Sequence, residues 1–597
     1  MPDYYILKPS NSDLTHIHDY MNKYSITYDV ALFFYYRGKN PEEYLTKNES
    51  EILSHIDSYL NSKYNIKQIS AKFIDIIKNS KNILIYSDYD ADGITANTIM
   101  TKFLKRLQLN SNIKSITSER KYGYGMNLEY IKNVYKEFPY DTVIALDHGG
   151  NNPNIIIDLK QNGIKSIVID HHILEDNIVS KQADLLFHPG DDNISSGGLS
   201  FLLTYIVAKT AYPQYLPEVI KLSQFATISQ ITDVIEFDHI NYLIAKLGYP
   251  YLNDTNNNNS IKQYYTYYKK NDKINTEELK FYLGPILNAA SRLGNANASL
   301  QYMLEENEGL AKEYLKNLIA INKERKSIQD NIVNNIKSNK QCIELMQQTN
   351  IITVLIQTQY DEIKNKGVIG SIASSLTNTF NLPSIILTKH NNIISGSCRG
   401  TDQFPIYPII KKYKHLLLGG GGHKYAAGLS VTEENLPRFI NAAVNEVINK
   451  KIEKICNAVE ILKSPNNVDA KTLELFDSLE PFGNRFEALS YGFVDKIKDI
   501  NSNKKNANLN HFYTNNLKEI KFIAYNLDTN LFYLQHNNRD VLITYNYANS
   551  NKKQMFINDI TDNFEEIEIN NFIKKRNAQL DRFDIQNNCT EEIDAKS

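Results

Sequence analysis

The sequence predicts an α/β protein in which a parallel-sheet domain is joined by a long helix to a second α/β domain, followed by a small β-barrel (OB-like) domain. Three observations predict this fold class. Between about residues 83 and 238, apolar runs typical of buried strands alternate with helical patterns, as in βαβ units. A long polar stretch with helical periodicity covers residues 305–339. Short alternating runs separated by turns follow in residues 475–575, as in small antiparallel barrels.

The length and composition exclude several classes of protein. A chain of 597 residues predicts about two to four domains. The 66 Lys and Arg nearly balance the 68 Asp and Glu, so net charge argues neither for nor against a nucleic-acid partner. The four scattered cysteines form no metal-ligand spacing and no disulfide framework, which indicates a reducing compartment. No secretory signal and no bilayer-length apolar stretch is present, so we expect a cytoplasmic protein with no membrane partner.

Four acidic clusters carry the strongest chemical signal in the parallel-sheet region. They read SDYDADG (87–93), ALDHGG (145–150), VIDHH (168–172) and ITDVI (231–235). The first three follow apolar runs, and functional groups of open parallel sheets gather beyond the carboxyl ends of the strands. A single Asp after a strand is usually a turn or cap residue, but four clusters in this order predict one crevice. So many carboxylates require a counter-charge, which indicates divalent metal ions and a metal-dependent hydrolase.

The second α/β region has a glycine signal, LLLGGGGHKYAAG (416–428). Consecutive glycines let a backbone approach a ligand, and their N–H groups can bind a phosphate. Upstream, GSCRG (396–400) offers Ser397 and Arg399, and LNAASRLGNA (287–296) offers Arg292. A glycine run is more often a flexible loop, and an isolated Arg is usually solvated. These residues alone therefore do not establish a phosphate-binding site.

The order of these motifs resembles the DHH phosphoesterase superfamily with its associated C-terminal domain. Within it the chain is similar to the RecJ family of single-strand-specific 5′ to 3′ exonucleases, and the resemblance spans nearly the whole length. Further similar segments are YDVALFFYYRGKNPEEYL, ERKYGYGMN, GPILNAASRLGNA, INKERKSIQ, KGVIGSIASSL, GSCRG and LEPFGN. The chain departs from the family in Ser291, where Gly is usual, in Met126 for Leu, and in PFGNRF, which lacks the fuller Pro-Phe-Gly-x-Gly-Asn pattern.

The resemblance implies a role for each matching residue. Five residues would ligate two divalent ions, Mn²⁺ or Mg²⁺: Asp90, Asp92, Asp147, His171 and Asp233. Asp147 would bridge the ions, Asp88 would lie in or near the same ligand set, Asp170 would orient a histidine, and His172 would meet the scissile phosphate. The residues implied to bind substrate are Arg120, Arg292, Ser397, Arg399, Gly421, Gly422 and His423.

The resemblance also implies a domain organisation. The expected segments are an N-terminal helical segment (1–80), a DHH catalytic domain (81–300), a connecting helix (301–345), a DHH-associated substrate-binding domain (346–455), an OB-fold-like nucleic-acid-binding domain (456–575) and a C-terminal tail (576–597).

The implied activity is hydrolysis of single-stranded DNA from its 5′ end to 5′-mononucleotides, in DNA repair and recombination. Expected partners are single-stranded DNA, a single-strand-binding protein and a helicase, and the expected state is a monomer. Two alternatives stay open: a DHH phosphodiesterase acting on short oligonucleotides or cyclic dinucleotides, and an inactive DHH scaffold in a replication complex. A manganese pyrophosphatase is disfavoured because GGGGHKYAAG is typical of a different second domain.

Overall fold

The computed structural model describes residues 4–568, apart from 46–47, 124, 255, 257, 269–272, 357–361, 391–392, 402, 451–456, 464, 503–508, 515–520, 526–539, 547–553 and 562–563. The chain forms two compact units. The first unit contains Met1–Thr46, Lys451–Phe482 and Phe486–Ser597, and the second contains Lys47–Lys450 with Gly483–Arg485. Among the described residues, no helix combines the length and the apolar character needed to cross a bilayer.

The first unit begins with a strand and three helices. Ser10 and Asp13 form a capping box that starts the first helix, because each side chain satisfies a free backbone N–H of that helix end. Phe33 of the second helix is fully buried, and its ring packs edge-on against Phe476 and Phe486 of the same unit. The elements are β1 (Tyr4–Lys8), α1 (Asn11–Tyr24), α2 (Tyr28–Arg37) and α3 (Pro41–Tyr44).

The second unit opens with a five-stranded parallel sheet. Its elements are α4 (Glu49–Lys63), α5 (Ile66–Asn79), β2 (Asn82–Ser87), α6 (Ala91–Arg106), β3 (Asn112–Thr117), α7 (Leu128–Glu137), β4 (Thr142–Leu146), α8 (Pro153–Gln161), β5 (Lys165–Ile169), α9 (Ile178–Gln182) and β6 (Leu185–Phe187). The strand order is β3-β2-β4-β5-β6, and every pair is parallel. Strands β2, β4 and β5 are apolar and almost wholly buried, as expected for strands covered on both faces. In register, Ser87 pairs with Leu146 and Leu146 with Ile169, so these three strands end side by side.

A helical region follows the parallel sheet. Its elements are α10 (Ser196–Ala211), α11 (Leu216–Lys221), α12 (Ser223–Thr232), α13 (His239–Leu252), α14 (Asn259–Tyr268), α15 (Thr276–Glu278), a π-helical turn (Leu279–Leu283), α16 (Gly284–Arg292), α17 (Asn297–Leu304) and α18 (Glu308–Ser338). Helices α10 and α12 are buried almost throughout and pack against α6. Helix α18 has 31 residues, of which seven are buried, so it is the long polar helix that the sequence predicts.

The remainder of the second unit is a mixed five-stranded sheet with helices. Its elements are α19 (Lys340–Thr349), β7 (Ile352–Ile356), α20 (Glu362–Phe380), β8 (Ser384–His390), β9 (Ile393–Arg399), α21 (Tyr407–Lys412), β10 (Gly419–His423), β11 (Ala426–Thr432) and α22 (Leu436–Val447). The strand order is β10-β11-β9-β8-β7, and only β7 and β8 are parallel. The tetraglycine segment is therefore an edge strand, with one side of its backbone unpaired in the sheet.

The first unit closes with β12 (Asn457–Val459), β13 (Ile461–Leu462), α23 (Ala470–Leu479), β14 (Ser490–Asp495), β15 (Ile497–Ser502), β16 (Leu509–Thr514), β17 (Lys521–Tyr525), β18 (Val541–Asn546), β19 (Gln554–Thr561) and β20 (Phe564–Glu568). Strand β1 lies between β12 and β20 in a parallel three-stranded sheet. The other seven strands form a sheet in the order β13-β14-β18-β19-β17-β16-β15. Pairing among the described residues leaves this sheet open, so the mixed α/β class with a parallel sheet is confirmed, whereas the closed OB-like barrel is not.

Candidate active site

Strand ends bring most of the predicted acidic residues together. Asp88 and Asp90 follow β2, Asp147 follows β4, and Asp170, His171 and His172 follow β5; Asp233 ends α12, which packs on α6 beside the sheet. Asp147 has a left-handed backbone (φ 62°), which a residue other than glycine rarely adopts, and such conformations cluster at functional sites. The three strands and α12 therefore build one acidic site from segments that are far apart in the sequence, between residues 88 and 233.

Among the residues that the structure describes, three groups of side chains have donor atoms close enough to share a metal ion. In each group all donor atoms lie within 4.8 Å of one another; the groups are Asp147, His171 and His172; Asp92, His171 and Asp233; and Asp88, Asp90 and Asp147. His171 Nε2 lies 3.4 Å from Asp147 Oδ1, 3.7 Å from Asp92 Oδ2 and 3.8 Å from Asp233 Oδ2. These separations suit donor atoms that each lie about 2.1 Å from a shared ion.

The electrostatics of the cluster show why it needs cations. Burial and then the charge of Asp90 raise the pKa of Asp88 to about 7, although Ser118 Oγ donates a hydrogen bond of 2.9 Å to it. Burial, followed by the charges of Asp92, Asp90, Asp88 and Asp233, raises the pKa of Asp147 well above its usual range. Burial and the charge of Asp92 act on the pKa of Asp233 in the same direction. Without a counter-ion these carboxyls therefore tend to keep protons, and a divalent cation would displace them.

The histidines have different environments. Burial lowers the pKa of His171, which favours the neutral imidazole that a metal ion requires. His172 Nδ1 lies 2.8 Å from Asp170 Oδ1, and because the pKa of Asp170 is lowered, the ionised carboxylate accepts and Nδ1 donates. Burial lowers the pKa of His172, but the hydrogen bond and the charge of Asp170 outweigh it and raise the net value. Asp170 thus fixes the ring of His172 and favours its cationic form.

Asp90 and Asp92 lie at the beginning of α6. Asp90 is its N-cap, and Asp90 Oδ1 accepts from the backbone N–H groups of Asp92 and Gly93 at 3.0 and 3.1 Å. Asp92 accepts from the backbone N–H groups of Ser196 and Gly197 at 2.9 and 2.8 Å. The start of α10 therefore neutralises part of the Asp92 charge with backbone dipoles.

Two serines that sequence reasoning missed complete the support of the acids. Ser229 Oγ donates to Asp92 Oδ1 at 2.5 Å, and Ser196 Oγ donates to Asp147 Oδ1 at 3.0 Å. Both serines are fully buried. SSGG (195–198) and ISQITD (228–233) were visible in the sequence, but buried serines in apolar helices give no signal of which carboxylate they contact.

Predicted phosphate-binding arginines lie beside the acids. The Arg120 guanidinium stacks 4.1 Å from the ring of Tyr89, which separates Asp88 from Asp90, and Arg120 Nε donates to Ser291 Oγ at 3.4 Å. Ser291, the departure from the family pattern, thus holds Arg120. Arg292 Nη1 donates to the carbonyl of Gly367 at 3.0 Å. A Cβ on Gly367 would lie 1.8 Å from the Arg292 carbonyl oxygen, so only glycine permits this contact between α20 and α16.

Arg399 and Ser397 extend the cationic cluster from β9. Arg399 donates through Nε to Ser374 Oγ at 3.0 Å and through Nη1 to Ser397 Oγ at 3.1 Å. Burial, followed by the charges of Arg120, Arg325 and Arg399, lowers the pKa of Arg292 to about 9. In the part of the chain that the structure describes, Arg292 and Arg399 donate to carbonyl and hydroxyl oxygens and to no carboxylate, and buried cations without a carboxylate partner favour an anionic ligand. Arg325 of α18 belongs to this cluster; INKERKSIQ contained it, but sequence reasoning gave it no role.

The glycine strand carries the remaining predicted residues. Gly421 pairs with Gly428 and Gly422 with Ala427, and both glycines are exposed at the sheet edge. Among the described residues, apart from the two chain neighbours, no atom lies within 4 Å of a Cβ built on Gly421, so the face of the sheet is open at this position. His423 ends β10, but its side chain lies outside the described part of the structure. The structure thus brings the predicted acids, histidines and arginines close together. Among the residues described, no contact joins Gly421 or Gly422 to them.

Comparisons with known proteins agree with this architecture. Residues 82–227 match the model of the DHH family, N-terminal domain, and residues 348–450 match that of the DHHA1 domain. The chain is 26% identical over 434 residues to the single-stranded-DNA-specific exonuclease RecJ of Bacillus subtilis, a match that covers 70% of this chain and 52% of that protein. It is 24% identical to the RecJ of Haemophilus influenzae, covering 81% of this chain and 88% of that protein. The chain thus spans about half the length of the first relative and most of the second.

A solved structure shares the fold. The crystal structure of RecJ in complex with Mn²⁺ from Thermus thermophilus superposes with a TM-score of 0.75 at 18% identity, covering 94% of this chain and 79% of that one. The chain therefore carries a DHH domain followed by a DHHA1 domain and resembles RecJ in both sequence and fold.

Proposed function

We propose that this chain, which combines a DHH domain with a DHHA1 domain, is a metal-dependent exonuclease that hydrolyses single-stranded DNA from the 5′ end to 5′-mononucleotides. The observation that carries the proposal is the direct adjacency of two clusters. Tyr89 lies between the candidate metal ligands Asp88 and Asp90 in the sequence, and the Arg120 guanidinium stacks on its ring. Arg120 in turn lies near Arg292, which has no carboxylate partner among the described residues. The acidic cluster and the arginine cluster therefore adjoin within one unit. A cation-filled acidic site beside an anion-binding site suits a phosphodiester substrate.

The donor set fits two Mn²⁺ or Mg²⁺ ions. Its carboxylate oxygens with one neutral imidazole suit these hard cations better than copper or zinc. Asp90, Asp92, Asp147, His171 and Asp233 would hold the ions. Asp147 and His171 each belong to two of the three donor groups, and of the two only Asp147 has a carboxylate with two oxygen donors, as a bridging ligand requires. When bound, the ions supply Lewis-acid polarisation of the scissile phosphate and a water activated for attack.

The chain's own residues bind and orient the substrate. Arg120, Arg292 and Arg399 would neutralise the 5′-terminal and neighbouring phosphates, and the fixed hydrogen bonds of Arg399 to Ser374 and Ser397 hold its guanidinium ready for an anion. His172, cationic and oriented by Asp170, would donate to an oxygen of the scissile phosphate as negative charge grows there. The unpaired backbone at Gly421 and Gly422, with His423, would contact a further phosphate.

We also assign an OB-like role to residues 456–575 of the first unit. Support comes from the strand order β13-β14-β18-β19-β17-β16-β15: β14 and β15 are separated in the sequence only by Lys496, and beyond β14 lies only the two-residue β13, which pairs with Tyr491 and Gly492 of β14. A single bent strand at both ends of such a run is how a small barrel closes. The other domain limits, the monomeric state and partnership with a single-strand-binding protein or a helicase stay predictions.

Digestion of one DNA strand labelled at its 3′ end tests the proposal. With Mn²⁺, the wild type should shorten the single strand progressively and leave the matching duplex intact, whereas Asp147→Asn should leave both intact. Chelation with EDTA should stop the wild type, and Asp75→Asn, at an exposed position of α5, serves as a control expected to behave as wild type. Hydrolysis of dinucleotides without digestion of the long strand would replace the proposal with the short-oligonucleotide alternative, and inactivity on both would favour the scaffold.

A further inference from the structure

An exposed aromatic patch lies next to the acidic site on the second unit. It consists of Tyr267 and Tyr268 at the end of α14 and Phe281 and Tyr282 in the π-helical turn. Their exposures are 53%, 37%, 62% and 54%, which is high for four large rings in one region. The ring of Tyr268 lies 4.8 Å from that of Tyr267 and 6.2 Å from that of Tyr282, so these three rings form a continuous group, and Phe281 precedes Tyr282 in the sequence.

The π-helical turn fixes this patch beside a candidate metal ligand. The N–H of Gly284 donates to the carbonyl of Leu279, five residues back, which is the π-helical pattern. A Cβ on Gly284 would lie 2.7 Å from Thr232 Cγ2, so the turn packs closely on the residue before Asp233. Single π turns are frequent at functional sites, because they widen a helix locally and redirect its side chains.

A cationic pocket connects the turn to the arginine cluster. Thr232, Lys280, Pro285, Asn288, Arg292 and Arg325 are among the residues that line this cavity of about 160 Å³. Lys280 and Phe281 are neighbours, and Lys280 Nζ lies 5.6 Å from the Phe281 ring centroid. Lys280 and Pro285 therefore line a cationic pocket, while Phe281 and Tyr282, which lie between them in the sequence, present their rings to solvent.

We propose that Phe281 and Tyr282, backed by Tyr268, form a stacking platform for unpaired bases of the DNA strand next to the acidic site. The inference rests on the proposed function, because it assigns the bases of the same substrate to a defined surface. Alternating cationic and aromatic groups are the usual basis of single-strand binding, since phosphates need the former and every base has a face for the latter. Paired bases are already stacked in a duplex, so the platform would also favour single strands.

The absence of tryptophan from the sequence allows a direct test. Phe281→Trp would carry the only indole of the chain, and stacking of a base on it should quench its fluorescence. The probe is a 5′-phosphorylated 12-nucleotide oligothymidylate in EDTA, with an otherwise identical oligonucleotide that lacks bases. We expect quenching by the first and little by the second. Tyr135→Trp, at a 44% exposed position on α7, is the matched control and should respond to neither.

Affinities measured by anisotropy complete the test. Phe281→Ala/Tyr282→Ala should weaken binding of the base-bearing strand by about 5- to 150-fold for each stacked base and leave the abasic strand unchanged. Equal weakening of both strands, or of neither, would overturn the platform while the proposed function stands. If the wild type binds neither strand in EDTA, the platform is overturned, whereas the proposed function is decided separately by digestion with Mn²⁺. Sedimentation velocity identifies the alternative occupant: a dimer that the double substitution dissociates without changing DNA affinity would assign the patch to a second copy of the chain.

Discussion

Replacement of Asp147 by Asn is expected to stabilise the metal-free protein and to abolish its response to metal. Asn keeps the shape of the side chain, and its Oδ1 can still accept the 3.0 Å hydrogen bond from Ser196. The donor atoms of Asp88, Asp90 and Asp147 lie within 4.8 Å of one another. Two full charges at that separation repel by roughly 3 kcal/mol at an effective dielectric constant of about 20. Burial and the neighbouring carboxylates raise the pKa of Asp147, and protonation relieves part of this repulsion in the wild type, so we expect a smaller gain, of about 1–2 kcal/mol.

Thermal unfolding with and without Mn²⁺ measures both effects. In EDTA the Tm of the variant should lie about 1–2 °C above that of the wild type, as about 1–2 kcal/mol implies for a unit of this size. Saturating Mn²⁺ should raise the Tm of the wild type and leave the variant nearly unchanged, while nuclease activity of the variant falls by more than about 100-fold. Asp75→Asn should match the wild type in every measurement. A variant that is less stable than the wild type in EDTA, or equally stabilised by Mn²⁺, would refute the reasoning.

Three further changes test other parts of the site. Ser229→Ala removes the hydrogen bond to Asp92 and should weaken Mn²⁺ binding, measured by calorimetry, by about 10- to 100-fold while the circular dichroism spectrum stays unchanged. An unaltered Mn²⁺ affinity would show that Ser229 does not support Asp92 as a ligand. Burial and Asp90 raise the pKa of Asp88 to about 7 from near 4, so the metal-free folded protein keeps a proton there that the unfolded chain releases. The free energy of unfolding in EDTA should therefore fall as pH rises from about 4 to beyond 7, more steeply in wild type than in Asp88→Asn, and equal slopes would contradict this. Gly367→Ala places a Cβ 1.8 Å from the Arg292 carbonyl oxygen, so it should lower the free energy of unfolding by at least about 1–3 kcal/mol and raise the KM for single-stranded DNA. A variant with the stability and KM of the wild type would exclude a role for this contact.

The parts of the site that follow from local patterns could be predicted from the sequence. Asp88, Asp147 and His171 each come directly after or close to a buried apolar strand, and parallel strands bring their ends to one edge. The length of α18 could be predicted in the same way, because a polar periodic run continues from residue 309 without another Gly or any Pro.

Features that depend on distant packing could not be predicted. Ser229 meets Asp92 only because α12 packs on α6 across 137 positions of the sequence, and nothing local distinguishes it from the other serines of these helices. Arg325 lies on the long helix α18 and lines the same pocket as Arg292, and the sequence does not show which side chains of that helix reach this pocket. The expected barrel depends on pairing between strands in the least regular part of the sequence, where the alternating pattern predicts strands but not closure.

The position of β1 has a consequence for biosynthesis. This strand lies between β12 and β20, so residues 4–8 pair with residues 457–459 and 564–568. At ribosomal rates of about 5–20 residues per second, its second partner follows it by roughly 30–110 s. The second unit, almost all of which is encoded between residues 47 and 450, has been synthesised before that point. The acidic site is therefore expected to fold on the ribosome before β20, one of the two strands that pair with β1, has been synthesised.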